Sequence, residues 1–147
     1  MRHFYPAFFA ASLAVCCAAC SPKLIPLTTD TASAALPAGT AYALVHFYRP
    51  SKLVGFLIGY DVHLGDSVKY RAKDGSRGDV RRVTPGPVTV WAKTEAREEI
   101  TLPVQPGREY FVRCTLGAGA LVGRPHLQQV SVEQGRKELA GIPVPTR

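Results

Sequence analysis

The 147-residue chain contains one Met, one Trp, four Cys and only 20% charged residues. Its length suffices for one domain of ordinary size and is too short for two, which excludes a mechanism divided between domains. A helix-forming bias is also missing. Pro 12 and Gly 13 make up about 17% of the chain against roughly 12% in average usage, and Val, Thr and Tyr are frequent. That balance argues against a helical bundle and for a turn-rich β protein. No apolar run approaches the roughly 20 residues that a membrane-spanning helix needs. Acidic residues are scarce, 11 against 18 Lys and Arg, giving a net charge of +7. Such an excess suits nucleic acid if the chain stays in the cytosol.

The N-terminus points elsewhere. Arg2 and His3 precede the apolar run Ala7-Phe8-Phe9-Ala10-Ala11-Ser12-Leu13-Ala14-Val15, and small residues Ala18-Ala19 lead to Cys20. This is the pattern of a secretory signal. Ala18-Ala19-Cys20-Ser21 resembles a bacterial lipobox, which implies cleavage before Cys20, acylation of its thiol and a signal peptide over residues 1–19. Ser21 after the cysteine resembles lipoproteins sorted to the outer membrane, facing the periplasm. Two or three acyl chains anchor stably, since each buried CH₂ contributes about 0.8 kcal/mol. Export excludes nucleic acid as a partner. Without Arg2 the chain carries 17 Lys and Arg against 11 acidic residues, a balance of +6 that points toward the anionic envelope.

Cysteine usage follows from the address. Cys16 and Cys17 leave with the signal and Cys20 carries lipid, so Cys114 is the one thiol remaining and no intramolecular disulfide forms. Tyr110, Val112, Cys114 and Leu116 alternate with Phe111, Arg113 and Thr115, which places Cys114 on the apolar face of a strand. It reads as a core residue rather than an activated thiolate.

Residues 20–39, rich in Pro, Thr, Ser and Ala, read as the lipidated cysteine and a flexible tether. The domain is expected over residues 40–142, with a short tail at 143–147. Within it, short β-type runs are separated by turn signals. Ala41 to Tyr48 is apolar on both faces, as a central strand would be. Tyr60, Val62 and Leu64 form one half-buried set, and Val88, Val90 and Ala92 another, following the turn Thr84-Pro85-Gly86-Pro87. Ile100, Leu102 and Val104 form the next inward set. Gln105-Pro106-Gly107-Arg108 turns into the strand Glu109 to Leu116, and Leu127 to Glu133 gives the last strand. At least six strands and no convincing amphipathic helix predict an all-β fold, a single antiparallel β-sandwich of immunoglobulin-like or carboxypeptidase-regulatory-like type.

Ser67 to Arg82 stands apart. Lys69, Arg71, Lys73, Arg77, Arg81 and Arg82 against Asp74 and Asp79 give it a charge of about +4 by formal counting. Asp74-Gly75 is a hairpin signal, although Gly75 and Gly78 so close together also suit a mobile loop. The stretch reads either as a solvated basic loop or as a contact for anionic lipid, lipopolysaccharide phosphate or peptidoglycan carboxylates, through Arg71, Lys73, Arg77, Arg81 and Arg82.

Phe47-Tyr48-Arg49-Pro50-Ser51-Lys52-Leu53-Val54-Gly55 and Val122-Gly123-Arg124-Pro125 resemble the bacterial lipoprotein family known as domain of unknown function 2846. Val83-Thr84-Pro85-Gly86, Ala92-Lys93-Thr94-Glu95-Ala96 and Pro106-Gly107-Arg108-Glu109-Tyr110-Phe111-Val112-Arg113 extend the resemblance over about residues 40–141. It implies a small β-sandwich-like domain on a lipid anchor and supplies no catalytic residue. Each Arg-Pro step also has a physical reading. Proline keeps Arg49 and Arg124 out of the helical region and cannot donate to a ladder, so each marks a strand end or edge. A guanidinium there is a candidate clamp for a carboxylate, from Glu95, Glu98, Glu99 or a ligand.

Other motifs fall away. Gly117-Ala118-Gly119-Ala120-Leu121-Val122-Gly123 has its third glycine one place late for a dinucleotide loop, and Arg124-Pro125 stands where a helix would start, leaving a flexible inter-strand loop. His46, His63, His126 and Asp61 contain no close ligand pair, so no metal and no cofactor is expected. Ser51 lacks a nucleophile elbow, and Glu98 and Glu99 face opposite sides of a strand. Trp91 beside Lys93 is a minor candidate for stacking on a sugar. The resulting expectation is an envelope lipoprotein held in the membrane by its N-terminal lipid and acting as a non-catalytic interaction or structural module, with another envelope protein as a candidate partner. Peptidoglycan or lipopolysaccharide binding is the alternative, and a cell-wall hydrolase the remote one.

Overall fold

The computed structural model describes residues 36–144; the signal segment 1–19, Cys20, most of the tether and the tail beyond residue 144 lie outside the described residues. Among the described residues nine strands and one helix follow in order: β1 Ala43–Arg49, β2 Tyr60–Leu64, β3 Ser67–Ala72, β4 Ser76–Arg77, β5 Arg81–Val83, β6 Gly86–Lys93, β7 Arg97–Val104, β8 Glu109–Gly117, β9 Arg124–Val130 and α1 Val132–Ala140. Period-two alternation places one side of each long strand in a shared interior. Two sheets result. Sheet I runs β4-β1-β8-β9, with β5 also on β1, and sheet II runs β3-β2-β6-β7.

Their facing sides enclose the main core, where Val45, Phe47, Val62, Val90, Ala92, Leu102, Val112 and Cys114 are fully buried. The all-β sandwich expected from the pattern is the observed architecture, with one departure in pairing. β1 and β8 are parallel, Val45 opposite Tyr110 and Phe47 opposite Val112, whereas every other pair is antiparallel. Six strands separate them in the chain, enough for the crossover that parallel pairing requires and a hairpin cannot supply.

The end of the domain corrects two expectations. The last strand stops at Val130, and Val132–Ala140 is helical. Ser131 accepts a hydrogen bond from the Gln134 N–H at 3.1 Å and Glu133 lies in the first turn, so the helix carries its own start signal. It covers the outer face of sheet I, where Tyr48, Phe111, Val130, Val132 and Ile142 form a second apolar cluster with Leu139. Gly135 permits this contact, since a Cβ there would lie 2.3 Å from Phe111 Cγ. The helix explains why β1 is apolar on both faces.

The folded part also begins earlier than Thr40. Leu36 N–H donates to Gly107 O at 3.1 Å, so Leu36 to Gly39 lies against the β7–β8 turn rather than forming free tether. Asp74-Gly75 does turn the chain, with Gly75 at φ +57°, but it carries the chain from β3 in sheet II to β4 in sheet I instead of closing a hairpin.

Candidate functional site

Because β1 and β8 are parallel, the loops that follow them, residues 50–59 and 118–123, leave the same end of the sandwich. Two ionised side chains organise this end. Arg49, 2% exposed, closes β1 and turns its guanidinium back into loop 50–59. Nη1 donates to Ile58 O at 2.6 Å and Ala72 O at 3.0 Å, and Nη2 donates to Gly55 O at 2.7 Å. Its Cζ also lies 5.6 Å from the centre of the Tyr60 ring. Arg49 is a structural clamp, as one reading of the Arg-Pro step required, but it clamps backbone carbonyls and no carboxylate. The reason is reach: Pro50 ends the strand, the chain folds over the guanidinium, and three carbonyls converge on its planar fork.

Glu95, in the β6–β7 turn, mirrors this arrangement with the opposite charge. Its carboxylate accepts N–H bonds from Ala120 at 2.8 Å and Gly123 at 3.0 Å, and from Leu121 and Val122 between them. Hydrogen bonds from Leu121, Ala120 and Val122, in that order, hold its carboxyl down at about 2. The 117–123 segment is therefore a loop wrapped on a carboxylate rather than a free connection. Gly123 has φ +83°, and a Cβ on Gly119 would lie 2.5 Å from Glu95 Oε2, so two glycines are needed for the wrap.

The two loops adjoin. A Cβ on Gly55 would lie 2.7 Å from Leu116 Cδ2, and one on Gly123 would lie 3.0 Å from the same methyl. With their backbones bonded inward, both loops present apolar side chains outward: Leu53 is 89% exposed, Leu57 84% and Leu121 91%, joined by Val54, Phe56 and Val122. Asp74 secures the flank, accepting from Ser51 Oγ at 2.5 Å and from Lys52 N–H at 2.9 Å, and these bonds lower its pKa, Ser51 first.

The remaining sequence candidates are dispersed. Arg124 is exposed at the start of β9 and bonds none of Glu95, Glu98 or Glu99. Glu98 instead meets His126 Nδ1 at 2.8 Å and the Leu127 N–H at 3.0 Å. Strand alternation divides the five cations of the basic stretch. Arg71 pairs with Asp61 at 3.1 Å on sheet II, and Lys73 borders a shallow recess with Phe56 and Leu57. Arg77 reaches Leu139 O of α1 at 3.5 Å and Arg82 lies 5.0 Å over the Tyr42 ring, both on sheet I. Arg81 bridges the sheets at their open edge, donating to Lys69 O at 2.9 Å.

Trp91 is closed to a sugar. His63 on β2 stacks on it at 3.7 Å and Arg97 on β7 lies 4.2 Å from its ring centre, so the strands on either side of β6 each cover it. Cys114 is fully buried in the main core, and that burial pushes its thiol pKa far up. Among the described residues no three His, Cys, Asp or Glu side chains are grouped as metal ligands. Sequence reasoning missed Glu95 as an anchor of the 117–123 loop and missed the apolar end. The signals were present, in glycines at 117, 119 and 123 and in Leu53-Val54-Gly55-Phe56-Leu57, where apolar residues occupy a turn. Compared with protein-family models, curated proteins and solved structures, the chain matches none.

Proposed function

We propose that the protein is a periplasm-facing lipoprotein, anchored in the envelope through Cys20 and most consistent with the outer membrane, whose β-sandwich serves as a non-catalytic interaction or structural module. The observation that carries this reading is the joining of an N-terminus ending in Ala18-Ala19-Cys20-Ser21 to a domain that uses its most engaged ionic groups, Arg49 and Glu95, to shape exposed loops. The resemblance to domain of unknown function 2846 belongs to the same reading. Three segments that carry it, around Arg49-Pro50, Glu95 and Gly123-Arg124-Pro125, meet at one end of the sandwich.

Cell fractionation tests the anchor. Cys20→Ala is expected to be released to the soluble fraction by a carbonate wash that leaves the native chain in the membrane, and a variant that withstands the wash as the native chain does overturns the reading. Binding of peptidoglycan or lipopolysaccharide is the second reading, supported by Arg71 and Lys73 beside the recess at Phe56 and Leu57. A salt-sensitive pull-down on isolated sacculi, lost in an Arg71→Ala, Lys73→Ala variant, is its expected signature.

A further inference from the structure

We propose that the apolar end formed by loops 50–59 and 118–123 inserts into the headgroup and acyl boundary of an anionic lipid bilayer, the membrane that carries the protein's own anchor. The inference deepens the anchored reading and rests on it for the identity of the membrane. Six apolar side chains, Leu53, Val54, Phe56, Leu57, Leu121 and Val122, project from two loops that both pack on Leu116, with exposures from 43% to 91%. Water is a poor environment for such a cluster, and each would gain by transfer to acyl chains. Part of the loop backbone is already paired, which lowers the cost of that transfer: Gly55 O and Ile58 O are held by Arg49, and four N–H groups from Ala120 to Gly123 are held by Glu95.

Charge selects the lipid. Lys52, Lys73, Lys93 and Arg124 are exposed around the apolar end. The nearby carboxylates are already engaged: Asp74 by Ser51 and Lys52, Asp61 by Arg71 and Glu95 by four amides. An apolar centre inside a cationic rim complements an anionic headgroup layer.

Geometry permits anchor and tip to share one membrane. Leu36 joins the β7–β8 turn, at the end of the sandwich away from the apolar loops. The sixteen residues from Cys20 to Leu36 reach at most about 55 Å when extended, whereas a nine-residue strand such as β8 spans about 30 Å. The tether is long enough for the domain to turn its far end onto the bilayer.

The test uses the full chain, purified and placed in phosphatidylethanolamine and phosphatidylglycerol vesicles with brominated acyl chains, carrying Leu57→Trp or, at the opposite end, Ala38→Trp. Trp91 supplies the same background emission in both. The added Trp at 57 is expected to shift to shorter wavelength and lose at least half its emission, with weaker quenching in phosphatidylcholine, while the Trp at 38 is not quenched. Leu53→Asp in the Leu57→Trp background is expected to reduce the quenching. Absence of quenching at 57 in a chain whose Cys20 peptide carries acyl mass overturns the insertion and leaves the surface to a partner protein. A blue shift that needs no lipid and grows with protein concentration overturns it in favour of a second copy. Quenching in a chain without acyl mass supports the insertion and removes the anchor instead, so the two failures are distinct.

Discussion

Arg49 and Glu95 do the same work with opposite charge, each gathering backbone groups that the sheets leave unpaired. Hydrogen bonds to a charged partner are stronger than neutral ones, and a buried carbonyl left without a donor costs about 1–3 kcal/mol. Arg49→Ala removes three charge-assisted hydrogen bonds, while Gly55 O keeps a backbone partner in the Ile58 N–H, and is expected to cost about 3 kcal/mol or more, lowering Tm by about 10 °C or more for a domain of this size. Arg49→Lys recovers only part of this, because an ammonium lacks the planar fork. Arg124→Ala, at an exposed position, is expected to stay within about 0.5 kcal/mol, and calorimetry of the three variants checks the contrast. Glu95 yields a pH prediction. Its folded pKa of about 2 lies below the ordinary 4.5, so its stabilisation of the loop is fully present above the ordinary value and is lost as pH falls toward 2. Protection of the Ala120 to Gly123 amides, taken relative to their intrinsic exchange rate at each pH, is expected to be high near neutral pH and to fall selectively on acidification through that window. In Glu95→Ala it is lost at neutral pH while the core amides stay protected. Arg49 ends β1, as the proline after it implied, but the expected carboxylate partner is replaced by backbone carbonyls. The identity of the clamped groups was hidden, since Ile58, Gly55 and Ala72 meet the guanidinium only when the chain has folded over it.

Strands with one buried face were readable as elements. β7 keeps strict alternation, and Leu102, Val104, Val112 and Cys114 lie inside as their spacing required, whereas β8 departs from alternation at Phe111, which is buried under α1. The helix was not readable from periodicity, because Val132–Ala140 offers few apolar residues and has a glycine at its centre. Its legible signals were local ones, Ser131 before the first turn and Gln134 three residues later. Intrinsic preference and packing compete at Gly135. Alanine is the better helix former by about 1 kcal/mol, yet a Cβ 2.3 Å from Phe111 Cγ forces the helix off the sheet. Overpacking costs about 1–3 kcal/mol, so Gly135→Ala is expected to destabilise the domain by up to about 2 kcal/mol net, measured by urea unfolding. A stabilised variant would mean that α1 does not bear on Phe111.

At the scale of the whole molecule, three layers stand in order: sheet II, sheet I and α1. Sheet II leaves its outer face to solvent with the His63, Trp91 and Arg97 stack, while sheet I is covered on both sides. The layering also scatters the basic stretch, because the turn at Asp74-Gly75 moves the chain from one sheet to the other between Lys73 and Arg77. Cations that are neighbours in sequence therefore belong to different surfaces, and a charge count along the chain cannot identify a patch. The all-β class and the inward positions of the main strands followed from sequence alone, as did the buried setting of Cys114, because alternation and turn chemistry are local and a one-residue shift would expose an entire core face. Tertiary structure decided the parallel pairing of β1 with β8, and with it the meeting of loops 50–59 and 118–123. It also decided which backbone groups Arg49 and Glu95 hold and which apolar side chains are left outside. Apart from Arg49's bonds to Gly55 and Ile58, those outcomes depend on contacts between residues 23 to 65 positions apart, which no local pattern encodes.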